Sequence, residues 1–187
     1  MVRAAGPKTR LGAIVVVVAA SFVGLSLSGC GSDPGDTLSV NEGEAMQLGE
    51  LVYNVQISRL LNPRDGEDKA YLVGQPPPPN DEFYLGVFME IENQAGSLQR
   101  VPTGFKVVDT RGTEFKPVPS RSLFALDLGG KVTPNGALPE PETAAANGPI
   151  QGAMVLFLID RAALEDRPLV LEIPSSTGSV GEVELDI

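Results

Sequence analysis

Leu51-Val52-Tyr53-Asn54-Val55-Gln56-Ile57-Ser58 decides the fold class. Its apolar residues Leu51, Tyr53, Val55 and Ile57 fall at every second position, the period of a half-buried strand and not of a helix. Leu85-Gly86-Val87-Phe88-Met89-Glu90-Ile91-Glu92 repeats the pattern, with Leu85, Val87, Met89 and Ile91 on one face. Two strands that each bury one face predict antiparallel pairing.

The same signal continues toward the C-terminus. Gly104 to Val108 and Thr113 to Val118 flank Asp109-Thr110-Arg111-Gly112, whose Asp and Gly are turn residues, so the stretch reads as a β-hairpin. Ile150 to Ile159 is an apolar run of strand length, suited to a central strand buried on both faces. A short helical turn is expected over Asp160 to Asp166, with Asp160 as its N-cap, before a strand at Leu169 to Ile173. Ser176 to Ser179 turns the chain into a last strand, Val180 to Ile187. About seven strands, little helix and Gly-, Pro- and Asn-rich connections predict an all-β, immunoglobulin-like antiparallel β-sandwich over residues 47–187. Phe83, Phe88, Phe105, Phe115 and Phe157 fall at strand positions and read as core, and Met46, Met89 and Met154 as core or edge. Two segments, 62–81 and 133–149, are longer than sandwich connections usually are.

Upstream of the sandwich, Arg3, Lys8 and Arg10 precede an apolar run from Leu11 to Leu27 with no acidic residue among them. That is the charged and apolar order of an export signal. As a helix the run would span about 26 Å, marginal for a hydrocarbon core of about 30 Å. Leu27-Ser28-Gly29-Cys30 then ends it with two small residues and the chain's one cysteine. These four residues resemble a bacterial lipobox. The resemblance implies a diacylglyceryl group on the Cys30 thiol and cleavage between Gly29 and Cys30. Residues 1–29 are then a lipoprotein signal peptide and 30–46 a lipidated flexible linker, rich in Gly, Asp, Asn and Glu. Two or more acyl chains hold a protein to a membrane where one binds only marginally. The expected location is the cell membrane, lipid-anchored and facing outside the cytoplasm.

Composition removes several kinds of chemistry. The 187 residues hold no His, no Trp and one Cys, so imidazole catalysis, His-ligated metal, an intrachain disulfide and thiolate clusters are excluded. With 14 Lys+Arg against 24 Asp+Glu the net charge is −10, and loss of residues 1–29 removes three more cations, leaving about −13. Such a chain makes no nucleic-acid partner and is repelled as a whole by anionic surfaces.

The remaining clusters have bland readings beside sharper ones. Asp65, Glu67 and Asp68, with Asp81 and Glu82, offer oxygens to Ca²⁺ but lack EF-hand spacing, and a solvated charged loop explains them. Glu90 and Glu92 share a strand face and form a conceivable carboxylate pair for hydrolysing a cell-wall polymer, against a polar sheet face as the simpler reading. Pro76 to Pro79 should adopt polyproline II, either to stiffen a loop or to enter an aromatic groove. Asn93 and Asp109 to Gly112 read as turn chemistry. No catalytic, cofactor-binding or metal residue is assigned, and no cofactor.

The strand ending Glu90-Ile91-Glu92-Asn93 with Gly96 after it, the Asp109 to Gly112 turn, and Gly152 before the apolar strand Ala153-Met154-Val155-Leu156-Phe157 occur in a familiar order. Over roughly Gly49 to Ile173 the chain resembles the immunoglobulin-like domain of unknown function found in bacterial lipoproteins, sometimes labelled after a telomeric-repeat-binding factor. The resemblance implies an extracytoplasmic sandwich and brings no catalytic or ligand residues. The expected function is a non-catalytic, lipid-anchored binding or interaction module with a protein or cell-envelope partner. The alternatives are a cell-wall hydrolase and a small-ligand-binding lipoprotein.

Overall fold

A computed structural model of the chain describes Met1 and residues 37–187. The expected signal peptide, the lipidation site Cys30, its cleavage neighbour Gly29 and the linker up to residue 36 lie outside the described residues.

The chain runs through β1 (Thr37–Asn41), β2 (Ala45–Leu48), β3 (Leu51–Leu61), β4 (Glu82–Asn93), β5 (Gln99–Arg100), β6 (Lys106–Val108), β7 (Glu114–Phe115), β8 (Lys131–Val132), β9 (Ala137–Leu138), the helix α1 (Ala144–Asn147), β10 (Ala153–Asp160), β11 (Leu169–Pro174) and β12 (Val180–Leu185). Single 3₁₀ turns occupy Asp68–Ala70 and Arg161–Leu164. One sheet has the order β1-β12-β11-β6-β7 and the other β10-β4-β3-β2, with β9 beside β4; β5 and β8 form a separate ribbon. In immunoglobulin terms β6, β11 and β12 stand as the C-F-G strands, and β3, β4 and β10 as A-B-E. The sandwich is all-β, as expected.

Period-two burial builds the core between the sheets. Leu51, Tyr53 and Val55 of β3, Leu85, Val87, Met89 and Ile91 of β4, and Ala153, Val155, Phe157 and Ile159 of β10 meet Val107, Leu169, Leu171, Ile173, Val183 and Leu185 of the opposite sheet. The outer face of the β10-β4-β3 sheet carries a second, smaller core: Tyr71 and Leu72 of the 62–81 segment cover Tyr84, Phe88, Met154 and Leu156. Tyr71 stands edge-on to Phe88 at 5.1 Å and packs on Phe124 at 4.7 Å. The 62–81 segment is thus a packed cover for one sheet face.

Three expectations are corrected. The sandwich already includes Thr37, and does not start at 47, because β1 and the start of β2 lie within the stretch read as linker. β1 runs parallel to β12, from Thr37 opposite Val180 to Asn41 opposite Glu184, so one pair departs from antiparallel order. The Glu42 carboxylate accepts the Ser58 N–H at 3.0 Å, the Ser58 hydroxyl, and the Asp186 N–H at 3.2 Å. Its place explains the second correction. A bulge between Val55 and Ile57 breaks the register of β3 on β4, so Ile57 turns outward, 39% exposed, while Ser58 is buried against Glu42.

Third, β10 pairs with β4 and takes an edge position in the sheet, not a central one. Its free side is blocked by residues 117–126, through Val118 N–H to Leu156 O (2.8 Å), Leu126 N–H to Met154 O (2.8 Å) and Met154 N–H to Phe124 O (2.7 Å). The expected turn forms at Arg161–Leu164 with Asp160 at its N-cap, where the Asp160 side chain makes no capping bond.

Candidate functional site

The ends of the sandwich differ. β1 starts where Val180 faces Thr37 across one ladder and Pro174 across the next, so the start of the fold, the 175–179 turn and the β2–β3 turn share one end. At the other end lie the Asp109 to Gly112 turn and the Asp81 to Arg161 contact, about 35 Å away along the eleven residues of β3.

The Thr37 end carries a cleft of about 420 Å³, bounded by the β2–β3 turn, residues 99–104 and Pro174 to Ser176. Its inner wall is apolar, formed by the buried Leu48, Leu51, Tyr53 and Val101, and Tyr53 is edge-on to Phe105 at 6.4 Å. Burial pushes the Tyr53 phenol well above its ordinary value of 10.0, so it is neutral throughout the physiological range. Glu50, Gln99, Arg100, Thr103, Ser175 and Ser176 supply polar groups around the opening. Apolar walls with a few polar groups suit binding an amphipathic surface or ligand.

Beside the opening, the β5–β8 ribbon sets Arg100 directly opposite Lys131. Both are exposed, and neither joins an ion pair among the described residues. Arg100 gives one bond, to Gly129 O at 3.1 Å. Like charges directly opposite on neighbouring strands repel, so the pairing costs stability without a counter-charge. Sequence reading missed both cations and the cleft. Strands of two residues have no readable period, and their pairing brings together positions 31 residues apart.

The residues that the sequence singled out are dispersed and held by internal bonds. Asp68 is 2% exposed and does not line an open acidic loop. One of its oxygens meets Arg59 Nη2 at 2.5 Å and the other accepts the Asn62 N–H at 2.8 Å. Asp65 accepts the N–H of Glu67 at 2.8 Å, shaping its own turn. Among the described residues no three Asp, Glu or Cys converge as a metal site. Glu90 and Glu92 lie on the outer face of the sheet, opposite Asn54 and Val52 of β3. Pro76, Pro77 and Pro79 are exposed, and the run is pinned by Tyr84 Oη donating to Pro76 O (2.9 Å) and Gln75 Nε2 donating to Pro119 O (2.6 Å).

Asn93 and Asp109 do the turn chemistry expected of them. Buried Asn93 donates to Ser97 O, Val132 O and Thr133 O at 2.8–3.1 Å and accepts the Ala95 N–H at 2.9 Å, joining the end of β4 to β8. Asp109 accepts the N–H groups of Arg111 (2.9 Å) and Thr113 (2.8 Å) on one oxygen. Burial pushes its carboxyl up, but the bonds from Thr113 and Arg111 and the Arg111 charge outweigh burial and hold it below the usual carboxylate range.

No protein-family model matches the chain, and no curated protein matches it in sequence. Solved structures do share its shape. An uncharacterized β-sandwich protein from Clostridium difficile 630 superposes with a TM-score of 0.50 at 11% identity, covering 83% of this chain and 98% of that one. The yjhA protein of Bacillus subtilis gives 0.47 at 13% identity, covering 81% and 99%. A provisionally assigned lipoprotein of Bacillus subtilis, ycdA, gives 0.48 at 11% identity, covering 79% of this chain and 39% of that one. The chain is a β-sandwich protein, similar in fold to the uncharacterized β-sandwich protein of Clostridium difficile 630.

Proposed function

We propose that this protein is a lipid-anchored, extracytoplasmic interaction module that acts through its surface and carries out no bond chemistry. The observation that carries the reading is Leu27-Ser28-Gly29-Cys30 at the end of a charged and apolar leader. Cys30 is the acylated residue and Gly29-Cys30 the cleavage point. The sandwich begins seven residues after Cys30, an arrangement suited to a domain displayed on a membrane.

A non-catalytic role is supported by the use of Asp65, Asp68 and Asp109 in internal bonds. Glu90 and Glu92 stand side by side along one strand, so they do not flank a scissile bond from two sides. On the outer face of the other sheet Glu172 is paired with Lys106 at 2.9 Å, while Glu182 and Glu184 join no ion pair among the described residues and favour a basic protein or envelope partner.

The test compares intact mass and membrane fractionation of the native protein with those of Cys30→Ala. A mature chain that begins at Cys30 with added acyl mass, together with release or misprocessing of the variant, is the expected result. An unmodified chain that keeps residues 1–29 overturns the lipoprotein reading.

A further inference from the structure

We infer that the Thr37 end of the sandwich seats on the anionic phospholipid surface that anchors the protein, through Arg100, Lys131 and Leu98. The inference rests on the lipid anchoring proposed above and adds to it a docking face and an orientation.

Reach comes first. Six residues separate Cys30 from Thr37, and six extended residues span at most about 22 Å. β1 delivers this short connection to the end that holds the β5–β8 ribbon and the cleft. The opposite end lies about a further 35 Å along β3. An acylated Cys30 therefore keeps the Thr37 end close to the headgroups. Once that end touches them, its charges lie within the screening length of about 8 Å at physiological salt.

Charge and apolarity come second. The mature chain is strongly acidic, yet Arg100 and Lys131 are set side by side and exposed, and neither finds a carboxylate. Glu50, Glu92 and Asp127 lie at the same end, and none forms an ion pair with them, so the two cations project beside acids that leave them uncompensated. Lipid phosphates would supply the missing counter-charge and relieve the repulsion across the ribbon. Leu98, two residues before Arg100, is 48% exposed, an apolar side chain next to cations, as at membrane interfaces. Docked in this way, Pro76 to Pro79, beside Asp81 at the far end, stay clear of the bilayer and open to partners, while Glu172 and Glu182 lie two residues in from the docked end.

The experiment uses the mature acylated protein in vesicles of phosphatidylcholine with and without phosphatidylglycerol. A donor fluorophore is placed on Ser176→Cys, at the Thr37 end, or on Asn80→Cys, at the far end, and energy transfer to an acceptor lipid is read. Transfer should be stronger from position 176 than from position 80 in the anionic vesicles. Arg100→Glu with Lys131→Glu should shrink that difference by lowering the docked-to-undocked ratio more than about fivefold per position, since each reversal removes a cation and adds an anion, and removal of phosphatidylglycerol should shrink it too. Both substitutions are on exposed side chains, and an unchanged melting temperature verifies the fold. Acyl mass on Cys30 is measured on the same samples. Acylated protein whose transfer ignores both the anionic lipid and the two charge reversals overturns the docking face alone. Protein without acyl mass overturns the anchoring, and the docking face with it.

Discussion

Asp109 shows how a single side chain holds a turn and leaves a signature in pH. Its carboxylate receives the amides of Arg111 and Thr113, while the Thr110 N–H and hydroxyl both donate to Asp166 O and Arg111 pairs with Asp166 at 2.7 Å. Those bonds favour the charged form, so its native pKa lies below the ordinary 3.8 despite burial. A depressed native pKa adds stability that is complete above the unfolded value and disappears as pH falls through the native one. Asp109→Asn keeps an acceptor oxygen but removes the charge assistance, which should cost about 1.5 kcal/mol at neutral pH. Urea titrations across pH should show a constant gap between the two proteins down to about pH 5 and a narrowing gap below the unfolded carboxylate value. A gap that stays level through the acid range would place the stabilisation in the turn geometry and not in the charge.

Strands differ in how they are held, and this governs what a sequence can reveal of them. β3 and β4 are long, and their alternation gives both their existence and their inward residues; Leu85, Val87, Met89 and Ile91 line the main core as the pattern requires, while the continuous apolar run of β10 gives its existence but not which residues face inward. Ile57 breaks the pattern because a bulge depends on which residue the neighbouring strand presents, and Glu42, which occupies that bulge, comes from a segment whose composition reads as linker. β1 has alternating partial burial and only five residues, and its partner β12 lies 143 residues downstream, so nothing local marks it. The β5–β8 ribbon and its two cations are invisible for the same reason. Gly152 is the opposite case, a position legible in sequence as the glycine before an apolar strand. Its φ is +110°, and a Cβ there would stand 2.9 Å from the Met89 backbone N, where a strand cannot give way. Gly152→Ala should therefore cost about 1–3 kcal/mol. Gly66→Ala meets no atom within 4 Å and has no positive φ, so it should stay within about 0.5 kcal/mol of the native protein. Chemical denaturation of the pair measures the difference, and equal midpoints would remove the close approach of β10 to β4 as the reason for the glycine.

At the scale of the molecule the question is where the folding unit starts, since a tether and a first strand look alike in composition. Residues 37–46 contribute the parallel ladder on β12, the Glu42 bonds to Ser58 and Asp186, and Met46, which is 1% exposed. Met46 packs into the space left by Gly181, where a Cβ would lie 2.4 Å from its Cε. Removing this segment uncovers the edge of β12, empties the Gly181 site and leaves the Ser58 N–H and hydroxyl in the bulge without their acceptor. An emptied methionine site alone costs about 2–5 kcal/mol, and a buried donor left unpaired about 1–3 more. Together these approach the whole stability of an ordinary domain, about 5–15 kcal/mol. A chain starting at Gly31 should therefore unfold in one cooperative urea transition. A chain starting at Gln47 should lack a native baseline, with near-ultraviolet dichroism from Tyr53 and its neighbours lost. If the shorter chain instead melts with an unchanged midpoint, residues 30–46 are a tether after all. The reach of the domain from Cys30 then lengthens from six residues to sixteen, and the short-tether argument for an oriented sandwich loses its first premise.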